Sequence, residues 1–201
     1  MYDDEFELTF DLSDEDKASR APEPEQEPVQ EAAPEPAAET EPPVEPVPGP
    51  AVPAANGRCV LISGGDRGIG AAAARAFWQA GYRVAVLYHT HAEEAAALEK
   101  ALPGLLAVQC DVASRASCEV AFHTVEQAVG HVDVLVSNAG IAQQKLFTDI
   151  TPEEWQHMLD VNLSGAFHLC QLALPGMIRR KAGRILTVSS MWGQTGGSCE
   201  V

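Results

Sequence analysis

The sequence predicts an open, doubly wound α/β domain: a parallel sheet with helices on both faces, in three αβα layers. Three observations carry this expectation. Short apolar runs of strand length recur at Cys59–Ile62, Val84–Tyr88, Leu105–Gln109, Val132–Val136 and Arg184–Val188. Helix-forming segments separate them, which calls for right-handed crossovers and a sheet buried on both faces. Polar and glycine residues then collect after the strands, at Ser63–Gly70, Tyr88–Thr90, Asp111, Ser137–Gly140 and Ser189–Trp192. Sheets of this kind bind ligands beyond the carboxyl ends of their strands.

The helices follow from local signals. Ala71–Ala80 is strongly helix-forming and Gly81 is its stop. Ala92–Leu102 is closed by Pro103-Gly104. Ser114 is a good N-cap for a helix whose apolar stripe is Cys118, Ala121, Phe122, Val125 and Val129, ending at Gly130. Thr151-Pro152-Glu153-Glu154 joins an N-cap, a proline at N1 and a glutamate at N3 that can complete a capping box. That helix is expected to reach about Met177, with Pro175 ending or kinking its last turn.

Composition divides the chain in two. Its 201 residues carry 13 Lys and Arg against 29 Asp and Glu, a net charge of −16. Residues 1–56 hold 16 of the acidic groups, two basic ones and 11 of the 14 prolines. They read as an acidic, Pro/Glu-rich disordered tail, too poor in apolar groups to offset the entropy of ordering. Residues 57–201 are near neutral and long enough for one domain with its own core. Within the tail, Phe6, Leu8, Phe10 and Leu12 alternate with polar residues. This is either a peptide that adds a strand to an unknown partner's sheet or an acidic solubilising leader.

Several classes are disfavoured. No basic patch is available to displace phosphate counterions, so nucleic acid is not an expected partner. No apolar run approaches the ~20 residues of a membrane span. The start Met1-Tyr2-Asp3-Asp4-Glu5 is acidic, where a secretory signal is basic and then apolar. Five scattered cysteines, never spaced C-x-x-C, argue against a disulfide framework or a metal site. A cytoplasmic, reducing location fits best.

Ser63-Gly64-Gly65-Asp66-Arg67-Gly68-Ile69-Gly70 joins the first strand to the first helix. Glycines there permit a tight turn and a close backbone approach to a pyrophosphate, and the helix start supplies free N–H groups. The placement, after a strand and before a helix, is the context such a motif requires. No Gly-Lys-Ser/Thr follows, so ATP is the poorer ligand. Strand two ends Leu87-Tyr88-His89-Thr90 with no carboxylate before Glu93, whereas NAD-binding versions keep an acidic residue near that place. Arg67 in the loop can pair with a 2′-phosphate, which a carboxylate would repel. Both features favour NADP(H) over NAD(H).

The G-x3-G-x-G spacing of Gly64, Gly68 and Gly70 resembles that of the short-chain dehydrogenase/reductase family, with Ser63 in the place of the family's threonine. Further matches follow in order: Cys110-Asp111-Val112 after strand three, Ser137-Asn138-Ala139-Gly140 closing strand four, Asp160-Val161-Asn162 in the long helix and Val188-Ser189-Ser190 after strand five. Together they span residues 58–201. The resemblance implies a Rossmann-type fold, a cofactor site at Ser63, Gly64, Arg67, Gly68, Ile69, Gly70, His89, Asp111, Val112, Asn138, Ala139 and Gly140, and catalytic roles for Ser190 and Asn162. Asp111 is expected to accept from the adenine amino group. Ser190 is expected to hydrogen-bond the substrate oxygen, and Asn162 to hold backbone and a water in a proton relay.

The resembled reaction also needs a Tyr-x3-Lys proton donor. The tyrosines here are Tyr2, Tyr82 and Tyr88, none followed by lysine four residues on. The expectation is therefore a C-terminally truncated chain, its sheet incomplete, that performs negligible carbonyl reduction alone. The wider resemblance is to 3-oxoacyl-carrier-protein reductases. Ile141–Thr151 and Ser190–Val201 look more like reductases of the 5-aminopentanone group on elongation factor P. Trp192 and the pair Gln143 and Gln144 are either pocket residues or loop packing. A small or carrier-bound carbonyl substrate is implied, and for the full-length form a homo-oligomer. The alternative is a non-catalytic dinucleotide-binding protein whose acidic tail recruits a partner.

Overall fold

The computed structural model describes residues 55–191 and 193. The tail through residue 54, with its alternating peptide, and the residues Trp192 and Cys199 lie outside the described residues. Five strands and five helices follow in order: β1 Cys59–Ser63, α1 Gly68–Gln79, β2 Arg83–Tyr88, α2 Ala92–Ala101, β3 Leu106–Gln109, α3 Arg115–Val129, β4 Val134–Ser137, α4 Pro152–Leu159, α5 Gly165–Arg180 and β5 Arg184–Thr187. The sheet is parallel throughout, in the order β3-β2-β1-β4-β5. The chain winds outward from β1 through β2 and β3, then returns to β4 and winds the other way. The strands flanking that reversal, β1 and β4, pair with Leu61 opposite Leu135.

Alternation along β1 shows why both faces must be covered. Cys59 and Leu61 point into a core shared with Cys118, Val125 of α3 and Leu169, Ala173 of α5. Val60 and Ile62 point into a second core with Ala74 and Trp78 of α1 and Leu98 of α2. All four strand residues are fully enclosed, each large one contributing about 1.5–3 kcal/mol by leaving water. β3 is a half-buried edge and β5 an exposed one.

The local signals hold. Ser114 Oγ accepts from Ser117 N at 3.3 Å, and the capping box forms as Thr151 N donates to Glu154 Oε2 at 2.8 Å and Glu154 N to Thr151 Oγ1 at 3.2 Å. Lys145 Nζ reaches both oxygens of Glu154, at 2.9 and 2.8 Å. That ammonium holds the Glu154 carboxyl below its usual range.

Several boundaries differ from expectation. β4 begins at Val134, not Val132; Val132 is buried in the core ahead of the strand, and Asp133 exchanges bonds with Cys59 at 2.9 Å. The long helix is interrupted by a π turn, Asp160–Ser164. And α5 runs through Pro175 and past the expected end near Met177, to Arg180. Pro175 is on the exposed side of the helix, where water can satisfy the carbonyl its ring leaves unbonded. Buried Met177 and the bond from Arg180 Nη2 to Val132 O, 2.8 Å, anchor the turn beyond it.

Cys59, Cys110 and Cys118 are buried and Cys170 is half-buried, as small apolar residues would be. Burial pushes the Cys59 thiol up from 9.0 to about 12, a shift that nearby Arg83 opposes. An unfolded chain loses this proton first, so the stability Cys59 confers is whole below the unfolded pKa and is lost as pH rises toward 12. Denaturant titrations at pH 8 to 10.5 should show stability falling, with Cys59 responsible for a slope approaching roughly 1.4 kcal/mol per pH unit. The Cys59→Ala variant should have the flatter profile; an unchanged slope would contradict this assignment.

Candidate functional site

The turn after β1 is held by a short set of bonds to the turn after β4. Ser63, at the end of β1, is buried, and its Oγ accepts from Asn138 N at 3.0 Å and Ala139 N at 3.1 Å. In return Asn138 Nδ2 donates to Ser63 O at 3.0 Å and Gly64 O at 2.9 Å. Ser63 and Asn138 thus lock two loops together across the strand pair β1–β4.

Glycine is required in this turn for two distinct reasons. Gly64 has φ +60°, a left-handed conformation, and a side chain there would meet the Cα of Ala139 at 3.0 Å. Gly70 is a matter of space: a Cβ would lie 2.0 Å from Gly64 O and 2.7 Å from Asn138 Nδ2. With no side chain at Gly70, the first turn of α1 sits directly against the loop. Arg67 is the N-cap residue, in extended conformation, and makes no capping bond with its side chain. No acidic residue occupies the first turn. The leading N–H groups of α1 therefore lack intrahelical acceptors and present a partial positive charge.

Above the carboxyl ends of β1 to β4 lies a cleft of about 550 Å³. Gly64, Arg67, Gly68 and Ile69 form one wall, His89 lies after β2, Asp111 and Val112 after β3, and Asn138, Ala139 and Gly140 after β4. Ser63 and Gly70 sit behind this lining as supports. Asp111 Oδ1 accepts from Ala113 N at 3.0 Å, and Asp111 N donates to Ser117 Oγ at 3.0 Å, so the carboxylate is fixed with its second oxygen outside that bond.

Asn162 lies in the π turn. Ile141 N donates to its Oδ1 at 2.8 Å and its Nδ2 donates to Ile141 O at 3.0 Å. This two-way clamp fixes the segment after Gly140, whose Cβ, if it had one, would sit 3.2 Å from Asn162 Oδ1. Ser190 follows β5 at the same edge of the sheet, its carbonyl accepting from Gly193 N at 3.2 Å. Neither Asn162 nor Ser190 lines the cleft.

Two cleft residues, His91 and His157, stand outside every segment the sequence singled out, and Asp66 of the glycine loop is assigned no role by it. Asp66 is buried in the glycine loop with its Oδ2 3.5 Å from His91 Nδ1. An acidic residue inside a turn and a histidine just past β2 were the available signals, since both stand at carboxyl ends of neighbouring strands. Among the described residues no group of three or more His, Cys, Asp and Glu is placed to hold a metal ion, and no helix is long and apolar enough to cross a membrane.

The chain's match to known proteins follows the same residues. The family model for short chain dehydrogenases covers residues 58–201, from the residue before β1 through the end of the chain. The chain belongs to the short-chain dehydrogenase family. It is 40% identical over 139 residues to an acetoacetyl-CoA reductase of Shinella zoogloeoides, covering 69% of this chain and 57% of that one. It is likewise 40% identical over 144 residues to the 3-oxoacyl-[acyl-carrier-protein] reductase MabA of Mycobacterium avium, covering 70% and 53%. The crystal structure of gox2181 superposes with a TM-score of 0.66 at 31% identity, covering 72% of this chain and 58% of that one. This short-chain dehydrogenase therefore spans little more than half the length of the curated relatives it matches.

Proposed function

We propose that this chain supplies the dinucleotide-binding part of an NADPH-dependent carbonyl reductase acting on a 3-oxoacyl group carried by coenzyme A or a carrier protein. The observation that carries the reading is the cleft at the β1–β4 reversal, with the uncapped start of α1 in its wall. Its residues fit a dinucleotide: the missing side chain of Gly70 lets helix and loop close up, and donors for a pyrophosphate lie beside the apolar Ile69 and Val112. When bound, the nicotinamide supplies the hydride.

The remaining tasks fall to side chains. Arg67 is exposed in the cleft wall and pairs with the 2′-phosphate beside His89, while the buried Asp66 faces His91. The second carboxylate oxygen of Asp111 receives the adenine amino group. Asn162 keeps the backbone of Ile141 in place, and Ser190 donates to the carbonyl oxygen as charge develops there. None of the 201 residues forms a Tyr-x3-Lys pair, so the chain by itself binds the dinucleotide without appreciable turnover. The relatives' names favour a 3-oxoacyl thioester over the 5-aminopentanone group. Exposed Trp155 of α4, Leu163 of the π turn, and Phe167 and Ile178 of α5 support self-association.

The acidic residues 1–56 support a second reading, a non-catalytic dinucleotide-binding protein whose tail recruits a partner. The two differ in whether a 3-oxoacyl thioester binds once NADPH is present. Cofactor choice is tested by titrating NADPH and NADH into the chain and into Arg67→Ala. A charge-assisted contact of about 1.5–3 kcal/mol predicts a preference for NADPH on the order of 10- to 100-fold. The variant should bring the two affinities together; a preference that survives it would remove Arg67 from this role.

A further inference from the structure

We propose that Cys110 and Cys118 are a redox-modification site, a dithiol in the wall of the nucleotide cleft that closes reversibly to a disulfide on exposure to a hydroperoxide. Their sulfurs lie 4.0 Å apart, and a disulfide bond is about 2.0 Å long, so closure needs a movement of about 2 Å. Cys110 lines the cleft between β3 and Asp111, and Cys118 is in the first turns of α3. Neither thiol is used by the function proposed above.

The surroundings assign the two sulfurs different parts. Cys110 Sγ is in hydrogen-bond contact with Cys118 Sγ, and it accepts from Ser117 Oγ at 3.8 Å. The Cys118 hydrogen bond, and after it that of Ser117, hold the Cys110 thiol below its ordinary range against the opposing effect of burial. The same bond to Cys110, joined by burial, holds Cys118 above it. Among the described residues the other thiols go the wrong way for reaction: burial raises both Cys59 and Cys170. Cys110, which lines the cleft, is therefore the attacking thiolate, and Cys118, fully enclosed behind it, the resolving thiol.

The chemistry balances as follows. The Cys110 sulfur attacks a peroxide oxygen, the O–O bond breaks, and the departing hydroxide takes a proton to become water, leaving a sulfenic acid. The Cys118 sulfur then attacks the Cys110 sulfur. An S–S bond forms, the S–O bond breaks, and hydroxide leaves with the Cys118 proton as a second water. Two thiols lose two electrons, which reduce one hydroperoxide. An external dithiol reverses the step by exchange.

Closure has a consequence for the cleft. It removes the S–H that Cys118 donates to Val112 O at 3.5 Å and to Asp111 O at 3.9 Å. Asp111 N is also bonded to Ser117 Oγ in the same turn of α3. Asp111 and Val112 must move with the bridge, and these two wall the cleft. The oxidised chain should bind NADPH at least ~10-fold more weakly, and NADPH should protect the dithiol by the same factor. This coupling rests on the dinucleotide reading; the bridge itself does not.

The test uses the 201-residue chain treated with stoichiometric hydrogen peroxide, alkylated and digested with trypsin without reductant. Cleavage after Arg115 separates the two cysteines into peptides 101–115 and 116–145. These should be found cross-linked, and released by dithiothreitol. In Cys118→Ala the reaction should stop at a sulfenic acid on Cys110 that dimedone traps, and in Cys110→Ala the Cys118 thiol should stay reduced. Failure of the cross-link to form while Cys59 or Cys170 is oxidised, or its formation only in denaturant, overturns the proposal. A bridge that forms in a chain whose reduced form shows no saturable NADPH binding upholds the dithiol and counts against the dinucleotide reading instead.

Discussion

Gly70→Val is expected to abolish saturable NADPH binding, lowering affinity by at least about 100-fold. The first atom added already lies 2.0 Å from Gly64 O, 2.9 Å from Gly64 C and 2.7 Å from Asn138 Nδ2. Two of these are backbone atoms of a turn pinned at both ends, so no rotamer relieves the contact. The loop must move off the start of α1, at a cost typical of overpacking, about 1–3 kcal/mol or more. It also carries away the acceptor of the Asn138 bond at 2.9 Å. Gly68→Ala is the control. A Cβ there meets nothing within 4 Å, and the residue has φ +52°, so only left-handed strain of about 1–2 kcal/mol is introduced. A Gly70→Val chain that binds NADPH as well as the unaltered one would show that the helix start is not where the diphosphate rests.

Asn138→Ala should destabilise the fold by about 2–4 kcal/mol. The substitution leaves Ser63 O and Gly64 O, both at the crossing of two loops, without the amide that joins them, and an unsatisfied buried polar group costs about 1–3 kcal/mol. The backbone bonds from Asn138 N and Ala139 N to Ser63 Oγ survive, which sets the upper limit. Urea titration should show the midpoint falling with an unchanged slope, because the surface exposed on unfolding is the same. Asn138→Asp should be worse than alanine, since it turns an acceptor toward two acceptors. A neutral result for alanine would mean that the amide does not hold the loops.

What could be read from the sequence was local. The capping box at Thr151 and Glu154 needs only residues three apart, and the glycine turn needs only its own backbone. The sheet followed from the period of the apolar runs, and its ligand-binding edge from where glycines gather. What escaped depends on contacts between distant segments. Val132 is apolar and buried, but an apolar residue reports enclosure and not strand pairing, so the apolar run begins two residues ahead of β4. The π turn at Asp160–Ser164 has no composition of its own; in it Asn162 bonds Ile141 in both directions. Proline at 175 predicts an end or a kink in the last turn, but Met177 and Arg180 hold that turn through burial and a bond elsewhere. Asp66 and His91 meet only because β1 and β2 are adjacent in the sheet.

The candidate site divides along the same line. The motif residues that touch the cleft were legible by type, whereas the support given by Ser63 and Asn138 became visible only as a set of four hydrogen bonds. Ser190 and Asn162 stand apart from the cleft lining, so their proposed roles rest on the family resemblance and, for Asn162, on its clamp on Ile141.

Calorimetric titration of the folded 201-residue chain with NADPH is the most direct measure of the central claim. A single saturable site, lost in Gly70→Val and kept in Gly68→Ala, is the predicted result. Heat that never saturates, from a chain whose circular dichroism shows the α/β fold intact, would contradict it.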